Sequence, residues 1–95
     1  MIDSDQALFV TVVDTGSLSA AGRRLGISPA MVSKRLARLE RRLGARLVHR
    51  TTRRLTLTEI GARFHADMAC VLDHLRDAED RVSGATQEPS GPLSV

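Results

Sequence analysis

A chain of 95 residues is one small domain with room for an appendage. Its 42% hydrophobic content supports a folded core, and with Phe9 and Phe64 as the only aromatics that core must be aliphatic. No apolar run reaches the length of a membrane-spanning helix, no basic segment leads an apolar N-terminal stretch, and the lone Cys70 excludes an intramolecular disulfide. A soluble, cytoplasmic protein with no membrane association is the expectation.

The net charge of +3 conceals a strong asymmetry. Residues 1–22 carry −3 and no base, residues 23–54 carry eleven bases against the single acid Glu40, and residues 55–95 carry −4. A basic block between acidic ends is the electrostatic footprint of a polyanion-binding protein, the alternative being an ordinary solvated face.

In chain order, residues 4–15 read as a first helix, with Ala7, Leu8, Phe9, Val12 and Val13 on its apolar face and Asp3 or Ser4 as its cap. Thr15-Gly16 ends it. Ser17 caps a shorter helix that directs Leu18, Ala21 and Leu25 inward and stops at Gly26. Gly22 inside that helix costs up to about 1 kcal/mol relative to Ala, and we read it as a site of close helix–helix packing.

Ser28 caps a third helix, with Pro29 in the first position, where its missing N–H costs nothing. Val32, Leu36, Leu39 and Leu43 form its buried stripe, and Gly44 ends it. A short helix, a turn at Gly26-Ile27-Ser28 and a second helix is the helix-turn-helix pattern. The opposite side carries Ala30, Lys34, Ala37 and Arg41, with Arg38 beside them and Ser33 nearer the equator. Like charges at this spacing repel by a few tenths of a kcal/mol each, which calls for a compensating partner. A DNA major groove admits one helix and is walled by phosphates. Small residues at the start of the helix (Ser28, Pro29, Ala30, Ser33) allow close approach. Ser33 and Lys34 can donate to base edges, and Arg38, Arg41 and Arg42 suit the backbone.

Residues 46–57 lose the helical period. Leu47-Val48 and Leu55-Thr56-Leu57 read as short strands around a Thr51-Thr52-Arg53-Arg54 tip, a hairpin wing set to reach a minor groove or a phosphate row. The alternative is a disordered basic loop.

Thr58 caps the last helix, read over 58–83 and about 40 Å long. Phe64, Met68, Val71, Leu75, Ala78 and Val82 recur at alternating spacings of four and three, a coiled-coil seam too long for the preceding residues to cover. Part of it is therefore expected to meet a second copy of the chain. Gly84 is read as its end, and the Pro-, Gly- and Ser-rich residues 85–95 as a linker. The apolar Leu93-Ser94-Val95 finish suggests a further domain beyond it.

Enzymatic chemistry finds little footing. His49, His65 and His74 are scattered, and no nucleophile–base or paired-carboxylate arrangement is implied. Cys70 and His74 share a helical face, with only Asp67 or Asp77 as further candidate ligands, so neither a metal nor an enzyme is expected.

The stretch FVTVVDTGSLSAAGRRLGISPAMVSKRLARLERRLGARL, followed by RTTRRLTLTEIG and the long helix, resembles the N-terminal DNA-binding region of the LysR-type transcriptional regulators. The resemblance implies a mainly α fold: a winged helix-turn-helix of three helices plus a small β-hairpin over 1–57, then a dimerising linker helix over 58–84. Residues 85–95 would then be a hinge to a C-terminal domain that senses a small-molecule effector, with no cofactor in the present stretch. By position it implies DNA contacts from Ser28, Pro29, Ala30, Ser33, Lys34 and Arg38 and, in the wing, Arg50, Arg53 and Arg54. The implied partners are a homodimer mate and double-stranded DNA bearing an interrupted, often AT-rich palindrome. The implied location is the nucleoid, with the transcription machinery as a further candidate partner. Three positions depart from the family pattern. Gly22 replaces a usual Ala. Pro29 replaces a frequent Gln and removes one contact to adenine. Val48 replaces Phe or Leu, which implies looser packing of the wing. The competing reading is a winged-helix and coiled-coil module that binds protein and no DNA.

Overall fold

The computed structural model describes residues 3–50 and 55–87. They form α1 (Ser4–Thr15), α2 (Leu18–Leu25), α3 (Pro29–Leu43), β1 (Val48–Arg50), β2 (Leu55–Leu57) and α4 (Glu59–Gln87). Each of the first three helices starts on the cap its sequence supplies. At α1 the Asp3 carboxylate accepts from the backbone N–H of Gln6 at 2.9 Å, while Gln6 Oε1 accepts from the N–H of Asp3 at 3.0 Å, a reciprocal capping box. The Ser17 hydroxyl caps α2 through the N–H of Ala20, and Ser28 caps α3 through that of Met31.

The core is a single aliphatic cluster with one aromatic at its centre. Leu8, Phe9 and Val12 from α1, Ala21 from α2, Val32, Leu36 and Leu39 from α3, and Leu47 and Val48 at the wing are all buried. Val48 is completely buried, so the smaller side chain is still enclosed by the core. Leu25, expected inside, is 39% exposed, and Ile27 from the turn packs against the core near it. The helix-turn-helix bend brings Ile27 inward because Gly26 adopts φ 75°, a left-handed conformation that redirects the chain after α2.

β1 and β2 pair antiparallel, with Val48 opposite Leu57 and Arg50 opposite Leu55. The first strand starts one residue later than the sequence suggests. Leu47 is withdrawn from the ladder: its N–H donates to Glu40, and its carbonyl accepts from the N–H of Thr58 at 3.0 Å. Thr58 Oγ1 accepts from the N–H of Gly61 and donates to the Arg46 carbonyl, which ties the start of α4 to the base of the wing.

α4 is about 44 Å long. It runs through Gly84 to Gln87, which corrects the helix end read at Gly84. A glycine stops a helix by taking a left-handed φ, as Gly16, Gly26 and Gly44 do, and Gly84 does not. Of the expected hinge over 85–95, residues 85–87 instead continue α4, and residues 88–95 lie outside the described residues.

Candidate nucleic-acid interface

α3 packs on the core along one face and is bare on the opposite one. Val32, Leu36 and Leu39 face the core without exposure. Ala30, Lys34 and Arg41 are exposed on the opposite side and Ala37 is half-buried in line with them. Near the N-terminus of the helix, Ser28 and Pro29 are exposed and Ser33 is half-buried. The structure thus gathers Ser28, Pro29, Ala30, Ser33 and Lys34 into one patch of small residues with a projecting ammonium.

The nine described cations of the basic block fall into two groups. Arg35, Arg38, Arg42 and Arg50 each meet an acid: Arg35 and Arg38 on Asp5, Arg42 on Asp3 at 2.8 Å, and Arg50 on Glu40 at 3.2 Å. Among the described residues, Arg23, Arg24, Lys34, Arg41 and Arg46 pair with none. Two of the expected contacts are therefore not the free donors the sequence suggested. Arg38 is bound side-on to Asp5, and Arg50 turns back to Glu40. The spacing of Arg35, Arg38 and Arg42 explains this, since three, then four residues along a helix make one stripe, and that stripe lies against the acidic start of α1. The helix's self-repulsion is relieved in part by its own domain. Arg53 and Arg54 lie outside the described residues.

Asp5 is 7% exposed and carries the strongest of these pairings. Hydrogen bonds from Arg38 hold its carboxyl below the usual range, with burial opposing and Arg35 adding to the effect. The same contact raises the Arg38 guanidinium.

Shallow grooves flank both ends of α3. One, of about 530 Å³, is lined by Ser19, Gly22, Arg23, Gly26, Ile27, Ser28 and Pro29. The other, of about 440 Å³, is lined by Ala37, Glu40, Arg41, Gly44, Ala45, Arg46 and Arg50. Among the described residues, the first offers one unpaired arginine, Arg23, and the second offers two, Arg41 and Arg46. Sequence alone places Arg23, Arg24 and Arg46 in the basic block without a role; only tertiary placement separates them from the paired arginines. Gly22 makes its close approach to the turn, not to a neighbouring helix: a Cβ there would lie 2.6 Å from the Ile27 carbonyl oxygen.

The expected α4 seam divides. Phe64 packs on the core of its own chain, half-buried with its ring 5.6 Å from Phe9. The physical reason is length: the first turns of α4 lie across α1, where His65 also meets Asp14 at 3.0 Å. Met68 and Ala78 are half-buried, while Val71 and Leu75 are each 45% exposed and Val82 more so. Cys70 and His74 are exposed on the same helix, and among the described residues no group of metal-binding side chains assembles. Nor, among them, is any helix long and apolar enough to cross a membrane.

The model of the bacterial regulatory helix-turn-helix proteins of the lysR family matches residues 4–62. An HTH-type transcriptional regulator of Xanthomonas campestris pv. campestris is 44% identical over 90 residues, which is 95% of this chain and 26% of that protein. The regulator DmlR of Escherichia coli is 39% identical over 97% of this chain and 30% of its own length. Among solved structures, full-length AphB, a virulence activator of Vibrio cholerae, superposes with a TM-score of 0.76 at 35% identity, over 86% of this chain and 28% of that one. The CbnR domain in its DNA complex superposes with a TM-score of 0.78 at 29% identity, over 90% of this chain and 99% of that one. The chain spans between a quarter and a third of the curated relatives it matches. With a winged helix-turn-helix fold and the family model matched across residues 4–62, the chain belongs to the LysR family of bacterial regulatory helix-turn-helix proteins.

Proposed function

We propose that this chain binds double-stranded DNA sequence-specifically, as a homodimer, to regulate transcription. α3 enters the major groove with Ser28, Pro29, Ala30, Ser33 and Lys34 foremost, and the wing lies along the minor groove or backbone. The observation that carries this reading is the bare face of α3, where small residues and Lys34 face outward with no acid paired to them. The CbnR relative, solved with DNA, has the same fold. Arg23, Arg24, Arg41 and Arg46 flank that face and suit phosphates. Met68, Val71, Leu75 and Ala78 join the two copies. The protein acts in the cytoplasm on an interrupted palindrome. In the longer protein suggested by relatives more than three times this length, a further domain receives a small-molecule effector.

Selection from random duplex DNA tests the reading. One enriched palindrome is the expected result. Affinity for it should fall about a thousandfold or more between roughly 50 and 200 mM salt, as counterions are displaced by a dimer's many cationic contacts. Binding that ignores salt, or enrichment of no sequence, overturns it.

A further inference from the structure

We propose that Asp5, an acid on a helix remote from the groove-facing patch, is a positioning residue for DNA binding: it fixes Arg38 so that the unused N–H groups of the guanidinium meet a backbone phosphate. The inference rests on the DNA reading above and deepens it.

Asp5 stands in the first turn of α1 and is turned inward. A carboxylate so buried must be compensated, and it is, three times. Oδ1 accepts from Arg35 Nε at 3.1 Å and from Arg38 Nη2 at 2.9 Å, and Oδ2 accepts from Arg38 Nε at 2.8 Å. The Arg38 contact is a side-on fork, the geometry that restrains a guanidinium in both distance and plane. A guanidinium has five N–H groups, and this fork uses two. The remaining three, on Nη1 and the far side of Nη2, point away from Asp5 into solvent, and the Arg38 side chain is 60% exposed. Arg38 stands one turn beyond Lys34, at the edge of the bare face. Arg35 is only 22% exposed and also meets Asp5, so it neutralises the carboxylate from within and leaves the surplus positive charge at Arg38.

The consequence is preorganisation. A free arginine loses much of its rotamer freedom when it grips a phosphate; Arg38 loses it on folding instead. The Asp3–Arg42 pair offers a contrast, since both partners are about half exposed and joined by one contact, so it fixes nothing firmly.

The sign of the effect makes the proposal testable. An acid near a polyanion should hinder binding, so replacing it with a neutral residue should help if charge alone matters. Positioning demands the reverse. The 95-residue chain, its Asp5→Asn and Arg38→Ala variants and the double variant are titrated with the selected duplex across a range of salt. Circular dichroism and thermal unfolding confirm the fold of each. Asp5→Asn is expected to bind about tenfold more weakly although it has lost a negative charge. Its salt slope should shrink by about one unit per subunit as the Arg38 contact loosens. In the Arg38→Ala background the substitution should have no further effect. Equal or tighter binding by Asp5→Asn overturns the proposal, as does an equal loss in the Arg38→Ala background, which marks a purely structural role. If Asp5→Asn does not fold, Arg38→Lys decides. A lysine cannot make the fork and should bind as weakly as Arg38→Ala, whereas binding at the wild-type level overturns positioning. A wild-type chain that binds no duplex fails the DNA reading itself, an outcome distinct from all of these.

Discussion

The carboxylate of Glu40 near the end of α3 accepts a hydrogen bond from the backbone N–H of Leu47, seven residues on, at 2.8 Å. The same oxygen accepts from the N–H of Val48 at 3.2 Å, and the other receives Arg50. The only acid in the basic block is thus the joint between α3 and the wing. It satisfies two buried donors where the chain leaves the helix and before the strand ladder begins.

Removing that joint should destabilise the whole domain. Glu40→Ala leaves two buried N–H groups without an acceptor and should cost at least about 2 kcal/mol. Glu40→Gln keeps one acceptor oxygen and should cost less. Urea unfolding of the three proteins measures this, and an alanine variant within about 0.5 kcal/mol of wild type would refute the role assigned to Glu40.

Three glycines in helices should respond oppositely to alanine. At Gly84 no atom lies within 4 Å of an added Cβ, so Gly84→Ala should stabilise α4 by about 0.5–1 kcal/mol. At Gly22 the added Cβ meets the Ile27 carbonyl at 2.6 Å, and overpacking should outweigh the propensity gain, for a net loss of about 1–3 kcal/mol. Gly61→Ala should be the most damaging, because its Cβ overlaps the Leu47 carbonyl oxygen and Leu47 is tied by hydrogen bonds on both its N–H and its C=O. Thermal unfolding ranks the three, and a stabilising Gly61→Ala would contradict the packing of α4 on the wing.

Acid should weaken the α1–α3 clamp through Asp5. Its pKa is lower folded than unfolded, so its contribution to stability is fully present above the unfolded value of about 3.9 and is lost as pH falls through the lower folded value. The stability difference between wild type and Asp5→Asn should be flat from about pH 5 upward and shrink below about pH 4. Urea midpoints across that range provide the check. A difference unchanged down to about pH 2 would mean that the charged carboxylate stabilises nothing.

Leu75, exposed midway along α4, should be the residue at which an introduced charge separates two copies. Leu75→Glu places a charge where a dimer would have to desolvate it, and the chain should remain helical but sediment as a monomer. Binding to a palindrome should then weaken sharply, since two half-sites need two linked heads. A wild-type chain that stays monomeric at high concentration would defeat the dimer, and a Leu75→Glu variant that still dimerises would move the interface elsewhere.

Local signals proved decisive wherever a neighbour in sequence supplies the partner. Asp3, Ser17, Ser28 and Thr58 cap the helices they precede, and the stripe of Val32, Leu36 and Leu39 is buried as its period requires. Those interactions span a few residues, so the order of residues contains them. The hairpin was readable for the same reason, though its first strand shifted by one residue because Leu47 had a better use for its N–H.

What could not be read in one dimension is which arginine meets which acid. Arg35, Arg38 and Arg42 look like Lys34 and Arg41 in a list of charges, and only the crossing of α3 over the start of α1 brings Asp3 and Asp5 to the first three and leaves the other two bare. Phe64 fits a coiled-coil period as well as Leu75 does, yet it packs on Phe9 because α4 begins against α1. Periodicity specifies a face of a helix; the packing of helices that are distant in sequence decides what that face meets.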